Sequence, residues 1–213
     1  MTKIKWISHA CFKMKTDEET VIYLDPYEIP ESGEKADIIV SSHSHYDHFD
    51  VDAIKNVIQD TTKVIGPKSM SNKLKQFGGK GLDLGEKIEI KELLIKLVPA
   101  YTIEKSTHPK ENEWAGIIIK IGENKIYHAG DTERIPEMED LKGEKIDVAL
   151  LPCGGNYTMD MKEASEAAID IVPKIVVPMH NWDKDMNQMK DILAKKNPEI
   201  QVKILSQNKG FII

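Results

Sequence analysis

One stretch, Asp37-Ile38-Ile39-Val40-Ser41-Ser42-His43-Ser44-His45-Tyr46-Asp47-His48-Phe49-Asp50, constrains the chain more than any other. Residues 37–40 form a short apolar run that reads as a buried strand. Behind Asp50, an N-cap residue type, Val51 to Ile58 carries apolar side chains at helical spacing. The polar loop is therefore held between a strand and a helix, at a sheet end. Three of the seven histidines and two carboxylates fall within residues 43–50. Imidazole nitrogens and carboxylate oxygens gathered at one rim suit a zinc-like cation, and an Asp-His pair beside a His-x-His pair can serve two adjacent ions. Any one of these histidines alone would read as a solvated loop residue. The ordered unit H-x-H-x-D-H points to a metal.

The 213 residues, 40% of them hydrophobic, are enough for a sizeable core and are most simply one domain, residues 1–213. Cys11 and Cys153 lie far apart without C-x-x-C spacing, which fits a reducing compartment rather than a disulfide scaffold. The first residues lack the apolar centre of a signal peptide and no run reaches membrane-spanning length, so the expected location is the cytoplasm. A formal charge of -6 argues against a phosphate-backbone footprint and hence against a nucleic-acid partner. It leaves room for a small anionic substrate. Lys13, Lys105, Lys162 and Lys184 are the cations that could line an anion pocket, although an exposed, solvated role is the simpler reading of each.

From the N-terminus, 3–8, 11–15 and 20–24 read as an antiparallel meander, ended by Asp25-Pro26. Asp25 either caps that turn or accepts a hydrogen bond from a metal-bound imidazole and fixes its tautomer. A strand at 62–65, a helix at 67–77, strands at 87–90 and 93–98, and an irregular loop at 99–113 follow, the loop long enough for an active-site element. A hairpin at 115–121 and 125–129 leads into Gly130-Asp131-Thr132. Strands at 147–151, 175–177 and 201–205 alternate with helices starting near Asp160 and Asp185. No internal repeat is visible. The expected architecture is α/β, with helices outside two central sheets in four layers.

His43, His45, His48, His128 and His180 all fall at or near expected strand ends; His9 follows the first strand and His108 lies in the long loop. Groups gathered at one sheet edge would share a pocket. In that setting Asp131 is a candidate bridging carboxylate, one oxygen to each ion, at the roughly 3.5–4 Å separation of two-metal hydrolases. His180, at the end of a buried strand, is a candidate ligand of the second ion.

His43-x-His45-x-Asp47-His48, Gly130-Asp131-Thr132 and Met179-His180 together resemble the metallo-β-lactamase superfamily of metal-dependent hydrolases. Ser8-His9-Ala10-Cys11-Phe12, Leu24-Asp25-Pro26, Leu151-Pro152-Cys153-Gly154-Gly155 and Val177-Pro178-Met179-His180 are similar to its small stand-alone branch, which includes ascorbate 6-phosphate lactonase-like proteins. The resemblance spans nearly the whole chain. It implies an αββα sandwich with two divalent ions at the sheet edge, zinc first and manganese or iron as alternatives. Carried over by position, His43 and His45 bind one ion, Asp47, His48 and His180 the other, and Asp131 bridges. The third histidine of the first site is missing after the strand at 93–98, where Pro99-Ala100-Tyr101-Thr102 stands instead; His108 is the nearest replacement. His9 and His128 are expected to line the pocket or support the ligands, as is Asp25. The implied activity is hydrolysis of a small, anionic ester, lactone or phosphodiester by a metal-activated hydroxide, with Asp47 or Asp131 handling a proton. An iron-binding redox or sensor protein, or a nuclease, is the alternative. Homo-oligomer formation is left open.

Overall fold

The computed structural model describes residues 1–213. In chain order, strands β1 (Thr2–Ser8), β2 (Cys11–Thr16), β3 (Val21–Leu24) and β4 (Ile38–Val40) lead to helix α1 (Val51–Val57). Strand β5 (Lys63–Pro67), the single helical turn α2 (Ser71–Leu74) and β6 (Lys80–Leu82) complete the first half. The second half contains β7 (Lys87–Ile90), β8 (Leu93–Pro99), β9 (Ala115–Ile121), β10 (Asn124–His128) and β11 (Val148–Pro152). Helix α3 (Met161–Ile171), β12 (Ile175–Met179), α4 (Asn187–Lys196), β13 (Gln201–Val202) and β14 (Gly210–Ile212) end the chain.

These strands form two seven-stranded sheets, ordered β14-β1-β2-β3-β4-β5-β6 and β13-β12-β11-β10-β9-β8-β7. Burial follows the two-residue strand period. On β9, Ile117, Ile119 and Ile121 enter the core between the sheets while Ile118 points to the outer core; on β3, Ile22 and Leu24 point inward while Val21 and Tyr23 point outward. Because both faces are covered, these strands read as continuous apolar runs. The outer core of the first sheet is closed by Ala53, Ile54 and Val57 of α1, and that of the second by Ala164, Ala168 and Ile171 of α3. The result is the expected αββα sandwich of four layers. Burial of each large aliphatic side chain in these cores contributes about 1.5–3 kcal/mol.

The halves match in a way the sequence conceals. Each sheet consists of three antiparallel pairings followed by three parallel ones, and β14 returns from the far end of the chain to supply the fourth antiparallel strand of the first sheet. Strands β3 and β10 occupy equivalent places. Each delivers a buried aspartate beyond its C-terminal end, Asp25 and Asp131.

Several sequence expectations are corrected. The helix expected over 67–77 is instead 3-10 turns at Lys68–Met70 and Lys75–Phe77 around the four residues of α2, stopped by Gly78 at φ 64°. Met70 and Leu74 are the side chains this segment buries in place of a continuous apolar face. The strand expected over 201–205 pairs only through Gln201 and Val202, and the last strand is β14. Strand β6 and the 3-10 segment Pro136–Glu144 have no periodic signal; glycine at position 81 and the charge-rich run 137–144 mask them.

Candidate metal centre

All the strands that matter here deliver their C-terminal ends to one edge of the sandwich. The two-residue turn His9-Ala10 joins β1 to β2, with His9 at φ 47°. Asp25 follows β3 at φ 44°, the histidine loop follows β4, the long loop 100–113 follows β8, Asp131 follows β10, and His180 follows β12 at φ 49°. Left-handed backbone is uncommon for non-glycine residues, and its recurrence at three residues of one site indicates that surrounding structure imposes the conformation. At this edge the sheets also bond to each other: Ala115 N donates to the Ser42 carbonyl at 3.0 Å and His180 N to the His9 carbonyl at 3.2 Å. Gly130 permits the closure, since a Cβ there would lie 2.9 Å from both the Ala115 carbonyl oxygen and Ser42 Cβ.

Asp25 is the hub of the buried hydrogen bonds. It accepts from Ser42 N and Ser42 Oγ, each at 2.6 Å, and its Oδ2 lies 2.6 Å from His48 Nδ1. Ser42 Oγ lies 2.9 Å from His43 Nδ1. With the Ser42 hydroxyl donating to Asp25, His43 Nδ1–H donates to the hydroxyl oxygen and His48 Nδ1–H donates to the carboxylate. The Nε2 atoms of both rings then face the centre as acceptors. One carboxylate thereby orients histidines of both halves.

Two sets of ligand atoms converge around Asp131. His43, His45 and His108 form one group; His9, Asp47, His48 and His180 form the other, with ligand atoms in each group within 4.8 Å of one another. Asp131 lies between them: Oδ2 is 3.2 Å from Nε2 of both His108 and His180, and Oδ1 is 3.3 Å from His48 Nε2. His48 Nε2, both ring nitrogens of His108 and Asp131 Oδ1 are buried without a hydrogen-bond partner. Polar atoms so placed are costly unless something else satisfies them. A divalent cation in each group would do so, and nitrogen with carboxylate oxygen is a donor set that suits zinc.

The electrostatics favour the same occupant. Burial holds His43 well below the ordinary imidazole pKa, and repulsion from His48 adds to the effect. His45 is lowered for the same first reason, with His108 contributing. Asp131 stays well below the usual carboxylate range: burial opposes this, but His48, His180 and His108 outweigh it. His48 is raised well above its usual value, because Asp131 and Asp25 outweigh a burial effect that alone would lower it. With His43 and His45 held neutral and Asp131 ionised, their lone pairs are open to a cation, and binding of a cation at His48 would release the proton that the two carboxylates otherwise hold there.

His108, expected only as a nearest replacement, is brought beside His43 and His45, their ring centroids 5.0 and 4.9 Å from its own. Trp114 packs on all three rings. The loop is fastened by residues just after Asp131. Glu133, only 3% exposed, accepts from Ile103 N at 2.6 Å and Glu104 N at 2.7 Å and pairs with Lys105. Thr132 Oγ1 lies 2.9 Å from the Tyr101 carbonyl, and His108 N donates to Thr102 Oγ1 at 3.2 Å. His9, expected as a supporting residue, stands among the ligand atoms themselves, its Nε2 3.3 Å from Asp47 Oδ2. His128 stands further back. Its Nε2 donates to the Ala10 carbonyl at 2.8 Å and its Nδ1 accepts from Gly130 N at 3.1 Å, leaving 3.9 Å to Asp25 Oδ2. Ser42 and Glu133 escaped the sequence reading. Their types are common in loops, and only the three-dimensional closure gives them partners.

No helix is long and apolar enough to cross a membrane. A family model described as a beta-lactamase superfamily domain matches residues 3–180. The chain is 40% identical over 191 residues to a UPF0173 metal-dependent hydrolase of Nanoarchaeum equitans, covering 84% of this chain and 83% of the relative. It is 33% identical over 223 residues to a UPF0173 protein of Pyrococcus furiosus, covering 99% and 100% respectively. Among solved structures, a Parabacteroides distasonis protein assigned as a metal-dependent hydrolase superposes with a TM-score of 0.86 at 36% identity, over 94% of this chain and 91% of that one. Igni18, a metallo hydrolase of Ignicoccus hospitalis, superposes with a TM-score of 0.82 at 27% identity, over 99% and 98%.

Proposed function

Because the chain belongs to the beta-lactamase superfamily, among its UPF0173 metal-dependent hydrolases, we propose that it holds two divalent ions, zinc by its donor set, and hydrolyses an ester, lactone or phosphodiester bond in a small molecule. In this reading His43, His45 and His108 hold one ion, and Asp47, His48 and His180 hold the other with His9 beside them. Asp131 joins the two. The observation that carries the reading is the position of Asp131 Oδ2, equidistant at 3.2 Å from His108 of one group and His180 of the other.

Ions bound there would supply Lewis acidity, polarising the scissile group and making hydroxide available near neutral pH. The chain's own residues do the rest. Asp47 lines the pocket and His9 stands 3.3 Å from it, so the pair is placed to take a proton from the nucleophile and pass it outward. Trp114 covers the histidines of the first group and limits water there. The anionic character expected of the substrate finds no support in the pocket lining, which includes none of Lys13, Lys105, Lys162 and Lys184. Lys13 pairs with Glu34 and Lys105 with Glu133. Attraction for an anion would have to come from the ions alone.

Elemental analysis of protein purified without added metal, alongside His108→Ala, tests the two-ion arrangement: two ions per chain should fall to one. An unchanged count removes His108 from the ligand set. Failure of the metal-loaded protein to cleave any member of an ester, lactone and phosphodiester panel would refute the hydrolytic reading, and an iron spectrum in that case would favour redox or sensor chemistry.

A further inference from the structure

Beside the metal pocket, whose volume is about 280 Å³, lies a second cleft of about 330 Å³. Tyr46, Asp47 and Trp182 belong to both, so the two spaces share a wall. A ligand with its reacting bond near Asp131 has the second cleft as the adjoining space for whatever else it carries. The combined space is of the order of the roughly 300–1,000 Å³ found for small-molecule sites.

The cleft is built from aromatic rings and carboxylates. Trp6 and Tyr27 line it as well, with Glu28 and Asp183, and no lysine or arginine lines either space. Tyr46 is 72% exposed and Trp182 47%, so these rings are not needed to fill the core. They are nevertheless held in place. Tyr46 meets Tyr27 edge-on at 6.1 Å, and Trp182 stands 5.5 Å from His9 and 5.7 Å from His180. Gly154 admits the indole, because a Cβ at that position would lie 2.4 Å from Trp182 Cδ1. Trp182 and Asp183 are consecutive left-handed residues, at φ 48° and 58°, a conformation costing about 1–2 kcal/mol per residue. Such strain concentrates at functional sites.

We propose that this cleft receives the non-reacting end of the substrate, and that this end is a cation: an amine or quaternary ammonium group. The inference rests on the hydrolytic reading for the position of the reacting end, but the binding chemistry of the cleft is its own. Indole and phenol faces attract a cation through the ring quadrupole, most strongly where water is partly excluded. Glu28 and Asp183 add charge of the matching sign. An anionic group would face these carboxylates with no compensating cation, and a neutral group would forgo both attractions.

Choline and 3,3-dimethylbutanol, its neutral carbon isostere, separate the two parts of the idea. Titrated calorimetrically into metal-loaded protein, choline should bind about tenfold more tightly than the isostere. Glu28→Gln and Tyr46→Leu change exposed side chains and should each shrink that ratio towards one. The acetate esters of the two alcohols should show the same preference in kcat/KM. Equal or tighter binding of the isostere overturns the proposal, as does a ratio that neither variant changes. A choline preference in binding without cleavage of either ester sustains the cleft assignment and counts against the hydrolytic reading for esters. Cleavage of both esters at equal kcat/KM, with equal binding, does the opposite.

Discussion

The two halves of the metal centre are held by different means. His48 and His180 are fastened directly to sheet ends: His48, in the histidine loop, is tied to Asp25 beyond β3 at 2.6 Å, and His180 follows β12 with its backbone bonded to His9. The first half has His43 and His45 from the same strand end, but its third imidazole comes from a loop that pairs with neither sheet. There the rigidity of a strand is replaced by a hydrogen bond from Thr132 to the Tyr101 carbonyl and by those Glu133 accepts from Ile103 and Glu104, Thr132 and Glu133 being the residues directly after Asp131. A histidine carried by a loop can thus be placed as firmly as one at a sheet end if the loop is anchored beside Asp131, which stands between the two groups. The difference also implies that the halves should respond unequally to changes in their supports.

Asp131 is common to both, and Asp131→Asn should have the largest effect. Both ions should be lost, each by more than the roughly 10–100-fold in affinity that a missing supporting partner costs. Retention of one ion at wild-type affinity would show that the carboxylate serves one half only. Asp25→Asn comes next. Asp25 accepts from Ser42 N–H, Ser42 O–H and the His48 ring, and an amide would turn a donor towards one of these donors. Affinity should fall roughly 10–100-fold at the His48 half. The decrease should be smaller at the His43 half, which Asp25 reaches only through Ser42. Equal losses, measured by competition with a metal chelator, would contradict that ordering.

The same inequality explains what the sequence disclosed. His43, His45, Asp47, His48, Asp131 and His180 were legible as candidates because strand-then-polar-loop patterning marks sheet ends, and the layered architecture was legible because branched apolar runs alternate with helical spacing. His108 carried no such mark, since a histidine before Pro109 in a polar loop looks solvated until the fold closes over it. The support by Glu133 was hidden for a related reason: its partners are backbone N–H groups 29 and 30 residues away, which have no identity in sequence. His9 carried a weaker mark because a hairpin turn residue ordinarily faces water. Here the turn sits at the sandwich edge where β12 ends, and the matched pairing order of the two sheets that creates this edge leaves no sequence repeat.

Glu133→Gln isolates the loop-borne half. Its carboxyl is lowered from the usual value: burial pulls upward, but Lys105 and the Glu104 and Ile103 N–H groups outweigh it. The amide keeps an acceptor for the backbone and gives up the charge. The first ion should bind about tenfold more weakly, at the lower end of the effect of a lost supporting partner. The second should be unaffected. Metal titrations resolving two steps would measure this, and weakening of both steps would mean that the loop supports the whole centre.

Glu144 provides the contrast that gives the previous result its meaning. It too is a carboxylate paired with lysines, Lys96 at 2.8 Å on β8 and Lys125 at 2.9 Å on β10, but it holds no loop that carries a ligand. Those two lysines lower its pKa from 4.5 to about 2. A carboxyl with a lowered folded-state pKa adds stability that is fully present above the unfolded value and is lost as pH falls from about 4.5 through about 2. Because Glu144 is about a quarter exposed, solvent screening limits the contribution to about 1 kcal/mol. Glu144→Gln should therefore unfold more easily in denaturant at pH 7 by that amount, with the difference from wild type vanishing in acid. Its metal titration should keep both steps unchanged. If instead the first step weakened as in Glu133→Gln, general loosening of the second sheet would account for both variants, and Glu133 would lose its specific role in placing His108.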